Sequence, residues 1–193
     1  MSDKRTAKRV QIIEASIDLF ASKGFWNTPT SKITKHAKVS TGTLFNYFES
    51  KDVLIDEVYL QLKQEQTAHI TSGYPEDGTV RARAEHIWFR YIDWSVQHPI
   101  RYRLVQQMRL STDLVSQEAQ QRALGDWTFA YTLTQEAIAS GAFRAISAEY
   151  IGHLIVSQLN AAASYAIAHN LTDMPLTKHI TRSFEIYWAG VTS

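Results

Sequence analysis

Apolar residues recur at helical spacing along almost the whole chain, and this pattern limits the possible folds more than any other feature. In the first segment Val10, Ile13, Ile17 and Phe20 fall on one side of a helix, which Gly24 then ends. No stretch shows the sustained two-residue alternation of a half-buried strand, and the chain has no Asn-Gly hairpin turn. We therefore predict an all-α protein of about nine helices.

Turn formers and capping residues divide the helical pattern into segments. Thr28 before Pro29 predicts the start of a second helix, and Ser40 predicts a third, short helix that ends near residue 48. A long helix follows from Lys51, and the turn-rich segment 71–78 ends it. We expect five further helices at about residues 79–97, 99–110, 116–140, 147–169 and 175–189.

The charge of the chain is distributed unevenly. Residues 1–51 carry nine Lys or Arg against four Asp or Glu, whereas the remaining 142 residues carry eleven against fifteen. The first quarter is therefore basic and the rest acidic, although the formal net charge is only +1. A basic module on an acidic body indicates a polyanionic partner at one end, while a merely solvated basic face is the plainer alternative.

Composition also argues against several other classes of protein. The chain has no Cys, so it contains neither a disulfide nor a thiolate metal site. Its N-terminus lacks the apolar segment of a signal peptide, and no window has the roughly 18 consecutive apolar residues of a membrane span. We expect a soluble, cytoplasmic protein that does not contact a membrane.

No set of residues in the sequence indicates catalysis. There is no Gly-rich phosphate loop, no nucleophile elbow and no prominent pair of carboxylates. Glu149 and His153 have the i, i+4 spacing that can share a metal, but two such residues without a third ligand are typical of a solvated helix surface. We predict that the protein is not an enzyme and uses no cofactor or metal.

Two short predicted helices, joined by a turn, lie inside the basic quarter. This is the layout of a helix-turn-helix, whose second helix enters the major groove of DNA. That second helix reads Ser-Thr-Gly-Thr-Leu-Phe-Asn-Tyr over residues 40–47, and only Leu44 and the following Phe48 have to face a core. Hydroxylated residues and Gly42 at its start allow close approach of the backbone to DNA, and the N–H groups there favour phosphate.

The neighbourhood of this motif combines several residue types at fixed spacings. It contains Gly24-Phe25, Thr28-Pro29-Thr30, the run from Ile33 to Phe48, and Ser50-Lys51. From about residue 8 to 55, this pattern resembles the DNA-binding segment of the tetracycline-repressor family. Three positions depart from the family: Thr34 and Lys38 stand where Ala and Gly are usual, and Phe45 replaces a Tyr. We expect Lys38 to adopt positive φ in the turn.

The resemblance implies a one-component repressor that binds an operator in double-stranded DNA. It implies contacts at or near base edges from Thr30, Ser31, Thr41, Gly42, Phe45 and Asn46. It implies phosphate contacts from Thr28, Thr43, Tyr47 and Lys51, and Ser40 belongs to the same helix start. A lysine at the start of a helix opposes the helix dipole, so a phosphate partner explains Lys51.

The family resemblance also divides the chain by function. It implies a helix-turn-helix domain at residues 1–50, a connecting helix at 51–71, and a ligand-sensing and dimerisation domain at 72–193. Aromatic residues at helical spacing are more often plain core than a binding site, but family members enclose an effector in this domain. We expect an apolar or aromatic effector to contact Trp88, Tyr91, Met108, Trp127, Tyr131 and Tyr165.

The last two predicted helices are candidates for a dimer interface. Small residues at 161–166 allow close helix approach, and the final helix is aromatic. The resemblance implies that these helices form a four-helix bundle with their twofold mates, while an ordinary internal helix pair is the alternative. We expect the homodimer interface to include Leu159, Ala162, Ala163, Phe184, Tyr187 and Trp188.

Two functions remain for such a chain. The first is a repressor that a small molecule releases from DNA, and the second is an architectural or nucleoid-organising DNA binder of the same fold with no inducer. A closed, aromatic-lined cavity in the larger domain favours the first function.

Overall fold

The computed structural model describes residues 2–111 and 113–192, with side chains from residue 5 onward. Met1 and Ser193, the outer limits of the predicted domains, lie outside the described residues. The described part of the chain is helical and contains no strand, which confirms the predicted fold class. Its helices are α1 (Ser2–Lys23), α2 (Thr30–His36), α3 (Thr41–Tyr47), α4 (Lys51–Thr71), α5 (Val80–Gln97), α6 (Pro99–Leu110), α7 (Gln117–Gly125), α8 (Thr128–Ala139), α9 (Ala148–Ala168) and α10 (Asp173–Val191).

The described residues form ten helices rather than nine, because the helix predicted at 116–140 is two. The interruption falls at Asp126 and Trp127, directly after Gly125. Gly125 weakens the helix there, and the hydroxyl of Thr128 donates to the Gly125 carbonyl at 2.6 Å, so it caps the end of α7. The apolar periodicity continues on both sides of the break, so the sequence pattern predicts a single helix here.

Several predicted helix ends are confirmed. Gly24 follows α1 with φ of +76°, and Gly141 follows α8 with φ of +75°. Ser40 and Ser147 cap α3 and α9, each by accepting a bond from the backbone N–H three residues on. Pro99 begins α6.

The first compact unit comprises residues 1–64 and 100–123. Its core contains the buried Leu54, Val58 and Leu62 of α4 and the buried Leu104 and Met108 of α6. Ion pairs and a hydrogen bond also connect its helices. Arg9 of α1 pairs with Glu57 of α4, and Arg101 of α6 pairs with Glu14 of α1 at 2.6 Å. The N–H of Ser116 donates to the Asp56 carboxylate of α4. Helices α6 and α7 thus pack in the same unit as α1 to α3.

The second compact unit comprises residues 65–99 and 124–193, and therefore contains α5, α8, α9 and α10. Trp88 lies at its centre, stacked on Tyr187 with ring centroids 5.0 Å apart. The Trp88 indole N–H donates to Ser183 Oγ at 3.0 Å, so the buried ring has its polar atom satisfied.

These compact units do not follow the predicted functional boundaries at residues 50 and 71. Compactness reports packing and does not test which segment binds DNA or a ligand. The three functional domains therefore stay a prediction.

The turn between α2 and α3 contains the positive φ expected of Lys38, at +49°. A side chain in this region costs about 1 kcal/mol relative to glycine. We expect Lys38→Gly to raise the free energy of unfolding by about 0.5 to 1 kcal/mol, as measured by urea denaturation. Lys35→Gly, in the last turn of α2, removes the same charge and should instead lower stability by up to about 1 kcal/mol. Equal losses in both variants would contradict this account of the turn.

Candidate nucleic-acid interface

Helices α2 and α3 are held together by a short, fully bonded turn. The N–H of Ala37 donates to the Ile33 carbonyl at 2.8 Å, and the N–H of Val39 donates to the Thr34 carbonyl at 3.0 Å. Ile33 and Leu44 are completely buried, so each helix is fixed by one apolar anchor. The turn therefore sets the orientation of α3 relative to α2.

The start of α3 is organised by Ser40. Its Oγ accepts a bond from the Thr43 N–H at 3.0 Å and lies 2.8 Å from the Thr43 hydroxyl oxygen. This cap satisfies one helix-end donor and leaves Thr41 and Gly42 exposed beside it. Both residues belong to the predicted DNA surface.

The same exposed face of α3 carries the remaining predicted contacts, one helical turn further on. Phe45 is 43% exposed although it is a large apolar residue, and Asn46 is exposed next to it. Thr43 and Tyr47 are half-buried at the edges of this face. Gly42 has no heavy atom within 4 Å of its missing Cβ except Ser40 Oγ at 4.0 Å, so packing within the protein does not require a glycine there.

The N-terminal end of α2 contributes Ser31, which is exposed, and Thr30, which is half-buried. Together with the exposed and half-buried residues of α3 they form the surface that we call the reading surface: Thr30, Ser31, Thr41, Gly42, Thr43, Phe45, Asn46 and Tyr47.

Thr28 does not belong to this surface. It is completely buried, and its hydroxyl donates to the Gly24 carbonyl at 2.8 Å. Helix α2 begins at Thr30 with Pro29 as its N-cap, so Thr28 is not the capping residue that the sequence predicted. Its role is to close the loop after α1, and a phosphate contact through its side chain is ruled out by burial.

Lys51 has a partner within the chain. Its Nζ donates to the Phe25 carbonyl at 2.6 Å, which already explains a lysine at the start of α4. An ammonium group carries three donors, so this bond leaves donors for a phosphate. The phosphate contact of Lys51 stays a prediction.

Arg5 was missed by the sequence analysis, which counted it only as charge. Its guanidinium lies over the Tyr47 ring, 6.0 Å from the centroid, and therefore beside the reading surface. Arg9 lies over Phe48 at 5.9 Å. Their spacing of four residues, which places both on one face of α1, was the available signal.

The residues predicted to bind an effector do not form one group. Trp88 and Tyr91 are buried in the second unit, whereas Met108 is buried in the first unit. Tyr131 and Tyr165 are both 51% exposed. Trp88 is a core residue, because its ring and its N–H are both occupied by α10.

Tyr91 and Trp127 are the pair within this set that the structure brings together. Their rings meet edge to face with centroids 6.3 Å apart. The Tyr91 hydroxyl donates to Asn160 Oδ1 at 2.6 Å, and Trp127 is half-buried at the start of α8. Aromatic faces and amide groups thus converge between α5, α8 and α9.

The predicted dimer residues are mostly core of the single chain. Five of them are buried, and the most accessible of the five is 6% exposed: Leu159, Ala162, Ala163, Phe184 and Tyr187. Burial also raises the pKa of the Tyr187 phenol above its ordinary value. Trp188 is half-buried and packs on Phe143 and Phe184. Burial within the single chain leaves Leu159, Ala162, Ala163, Phe184 and Tyr187 almost no area for a partner, while the interface role of Trp188 stays a prediction.

No described helix is both long enough and apolar enough to span a membrane. The residues that the structure describes contain no cluster of three or more His, Cys, Asp or Glu able to hold a metal ion.

Comparison with known proteins agrees with this geometry. Residues 12–58 match the family model described as bacterial regulatory proteins, tetR family. The chain is 32% identical to the fatty acid metabolism regulator protein of Bacillus subtilis over 85 residues. These residues are 44% of this chain and 41% of that protein. The chain spans less than half the length of the first curated relatives that it matches.

Two solved structures extend the similarity to nearly the whole chain. A putative tetR family transcription regulator from Shewanella sp. PV-4 has a TM-score of 0.88 and 29% identity, covering 96% of this chain and 98% of that one. The transcriptional regulator FadR from Bacillus subtilis, in complex with stearoyl-CoA, has a TM-score of 0.76 and 18% identity, covering 94% and 98%. The second likeness is one of fold.

Proposed function

Because the chain is a DNA-binding regulator of the tetR family, we propose that it represses transcription from a palindromic operator, which it binds as a homodimer and leaves when a small molecule binds. The observation that carries this proposal is the reading surface on α3. There a fixed, capped helix exposes a glycine, hydroxyls, an amide and an aromatic ring, while the buried Leu44 and the C-cap residue Phe48 anchor it. An operator on the chromosome implies a cytoplasmic protein.

Dimerisation follows from the small size of one reading helix. A single short helix contacts too few bases for specificity, so two must lie about 34 to 36 Å apart in successive major grooves. We propose that α9 and α10 pair with their twofold mates through exposed positions, because the buried ones are already used. Tyr165 of α9 and Ile186 of α10, which is 70% exposed, are the leading candidates.

The effector site is proposed next to Tyr91, Trp127 and Asn160. Two aromatic rings suit an apolar or aromatic body, and the tyrosine hydroxyl and the asparagine amide suit a polar group on the same molecule. FadR of the same fold holds stearoyl-CoA, a ligand with a long apolar chain. Trp127 is half-buried at the break between α7 and α8, so this edge of the proposed site is accessible to solvent.

Helix α4 is the proposed route from effector to DNA. It starts directly after the helix-turn-helix. Its residues up to Gln64 belong to the first compact unit, and its residues from Glu65 belong to the second. At its other end the His86 ring is 2.8 Å from the Ile70 carbonyl, and Arg90 Nε donates to the His69 carbonyl at 3.0 Å. A ligand that shifts α5 would therefore move the C-terminal end of α4. A small tilt of α4 would then change the distance between the two α3 helices of the proposed dimer.

The test starts from a duplex selected by the protein itself from a random DNA pool. Effector candidates are screened by quenching of tryptophan fluorescence, with Trp127→Phe to identify signals from the proposed site. Linkage requires that an effector weakens DNA binding by the same factor by which DNA weakens effector binding. We expect a factor of about 5 to 150, corresponding to about 1 to 3 kcal/mol.

Equal affinity of the hits for free and DNA-bound protein would contradict release by a ligand. It would favour the second candidate, an architectural DNA binder of the same fold. Failure to select any duplex would contradict both.

A further inference from the structure

The loop between α1 and α2 displays a tryptophan to solvent. Trp26 is 81% exposed, the highest exposure among the large apolar residues that the structure describes. Its neighbour Phe25 is buried, with its ring centroid 4.9 Å from that of Phe20. The loop thus buries one aromatic ring and presents the next one outward.

This loop is fixed on both sides of the indole. Phe25 anchors the side before Trp26, and the buried Thr28, bonded to the Gly24 carbonyl, anchors the side after it. Only Trp26 and Asn27 lie between the two anchors, and both are exposed. A ring held on a fixed backbone loses little conformational entropy when it binds a partner.

Two lysines flank the tryptophan. Lys51 Nζ donates to the carbonyl of Phe25 at 2.6 Å, and Lys32 Nζ donates to the carbonyl of Asn27 at 3.3 Å. The carbonyls that precede and follow Trp26 therefore each hold an ammonium group. Each ammonium has three N–H donors, so both can also bind an anion beside the indole.

The surroundings favour a polyanion with apolar parts over a protein partner. The other exposed large apolar residues of the first unit are Val10, Phe45, Val53, Ile100 and Leu110, and none of them lies in the loop. Within the loop, Trp26 therefore has ammonium groups bonded to the adjoining carbonyls and no second exposed apolar side chain beside it. A nucleic-acid backbone offers both phosphates and the apolar face of a sugar. The loop also leads directly into Thr30 and Ser31 of the reading surface.

We infer that Trp26 is a DNA-backbone contact, which packs against a deoxyribose at the edge of the half-site while Lys51 and Lys32 bind the adjoining phosphates. This inference rests on the proposed DNA binding and adds a contact that reads no base. The apolar part of the contact does not release counterions, so it should contribute affinity without salt dependence.

The experiment measures the dissociation constant of Trp26→Ala for a labelled duplex by fluorescence anisotropy at several salt concentrations. The duplexes are one selected by the wild-type protein and one of random sequence. We expect affinity for both to fall by about tenfold with an unchanged salt slope. Lys51→Ala should also weaken binding to both, but its salt slope should flatten by about one phosphate equivalent. Trp26→Phe should retain most of the affinity.

Controls separate this contact from folding and from the proposed function. Leu124→Ala removes another exposed apolar side chain in α7 and should leave binding unchanged. Thermal unfolding of Trp26→Ala should match the wild type, because the side chain is exposed. Duplex DNA should change the emission of the wild type relative to Trp26→Phe, which isolates the signal of Trp26.

If the wild-type protein binds DNA and Trp26→Ala binds it equally tightly, the inference is overturned and the proposed function stands. A wild-type protein that binds no duplex overturns both. A change in sedimentation of Trp26→Ala without DNA would show that the indole contacts a second copy of the chain, and would also overturn it.

Discussion

Gly42→Leu is expected to weaken operator binding by about 100-fold or more while the protein becomes slightly more stable. Space around the missing Cβ is open, so a larger side chain fits the free protein. Leucine in place of glycine within a helix raises the free energy of unfolding by about 0.5 to 1 kcal/mol. The same side chain separates the backbone of α3 from the DNA and removes several contacts together. Anisotropy with the selected duplex measures the first effect, and urea denaturation measures the second.

Gly125→Leu provides the matched control. Gly125 is also helical, and no heavy atom lies within 4 Å of its missing Cβ. It belongs to α7 and not to the reading surface, so the substitution should leave DNA binding near the wild-type value. If Gly42→Leu binds the selected duplex as tightly as this control does, α3 is not the helix that approaches the DNA.

Ile186→Arg should convert the proposed homodimer to a folded monomer and reduce operator affinity by about 100-fold or more, since the second half-site no longer adds to the first. The side chain is 70% exposed on α10, so arginine is tolerated in the single chain. Sedimentation equilibrium gives the oligomeric state, and circular dichroism checks the helix content.

Two further variants make this experiment specific. Tyr131→Arg places the same charge on an exposed position of α8 and should remain dimeric. Ala162→Arg should unfold the second unit, because its position is only 6% exposed and the added side chain would bury a charge against α10. A wild-type protein that sediments as a monomer at micromolar concentration would rule out the dimer.

Local features of the fold could be predicted because each depends on a few neighbouring residues. Ser40 caps α3 through its own hydroxyl, and Gly24 ends α1 through its own φ. The positive φ of Lys38 was expected because the family that the chain resembles usually has Gly at this position. The two residues that interrupt the helix after Gly125 were missed, because the apolar pattern continues in phase on both sides of them.

The covering partner of each apolar face could not be predicted. Small residues such as Ala162 and Ala163 allow close approach of any helix, whether from the same chain or from a second copy. In the structure helices of the same chain bury both residues, and the His179 ring of α10 lies 2.9 Å from the Ala162 carbonyl. The same limit explains Thr28, because the sequence does not show that its hydroxyl donates to the Gly24 carbonyl of the same chain.

The packing of α6 and α7 with the helix-turn-helix has a consequence for building hybrid sensors. A chimera that exchanges the reading module at residue 71 would separate the buried residues of α4 from those of α6 in the same unit, and would break the Arg101–Glu14 ion pair and the bond from Ser116 to Asp56. Residues 100–123 have to travel with residues 1–64 for the graft to keep its core. The interchangeable part of this regulator is therefore discontinuous in its gene, and a recombinant exchange needs crossovers near codons 64, 100 and 123.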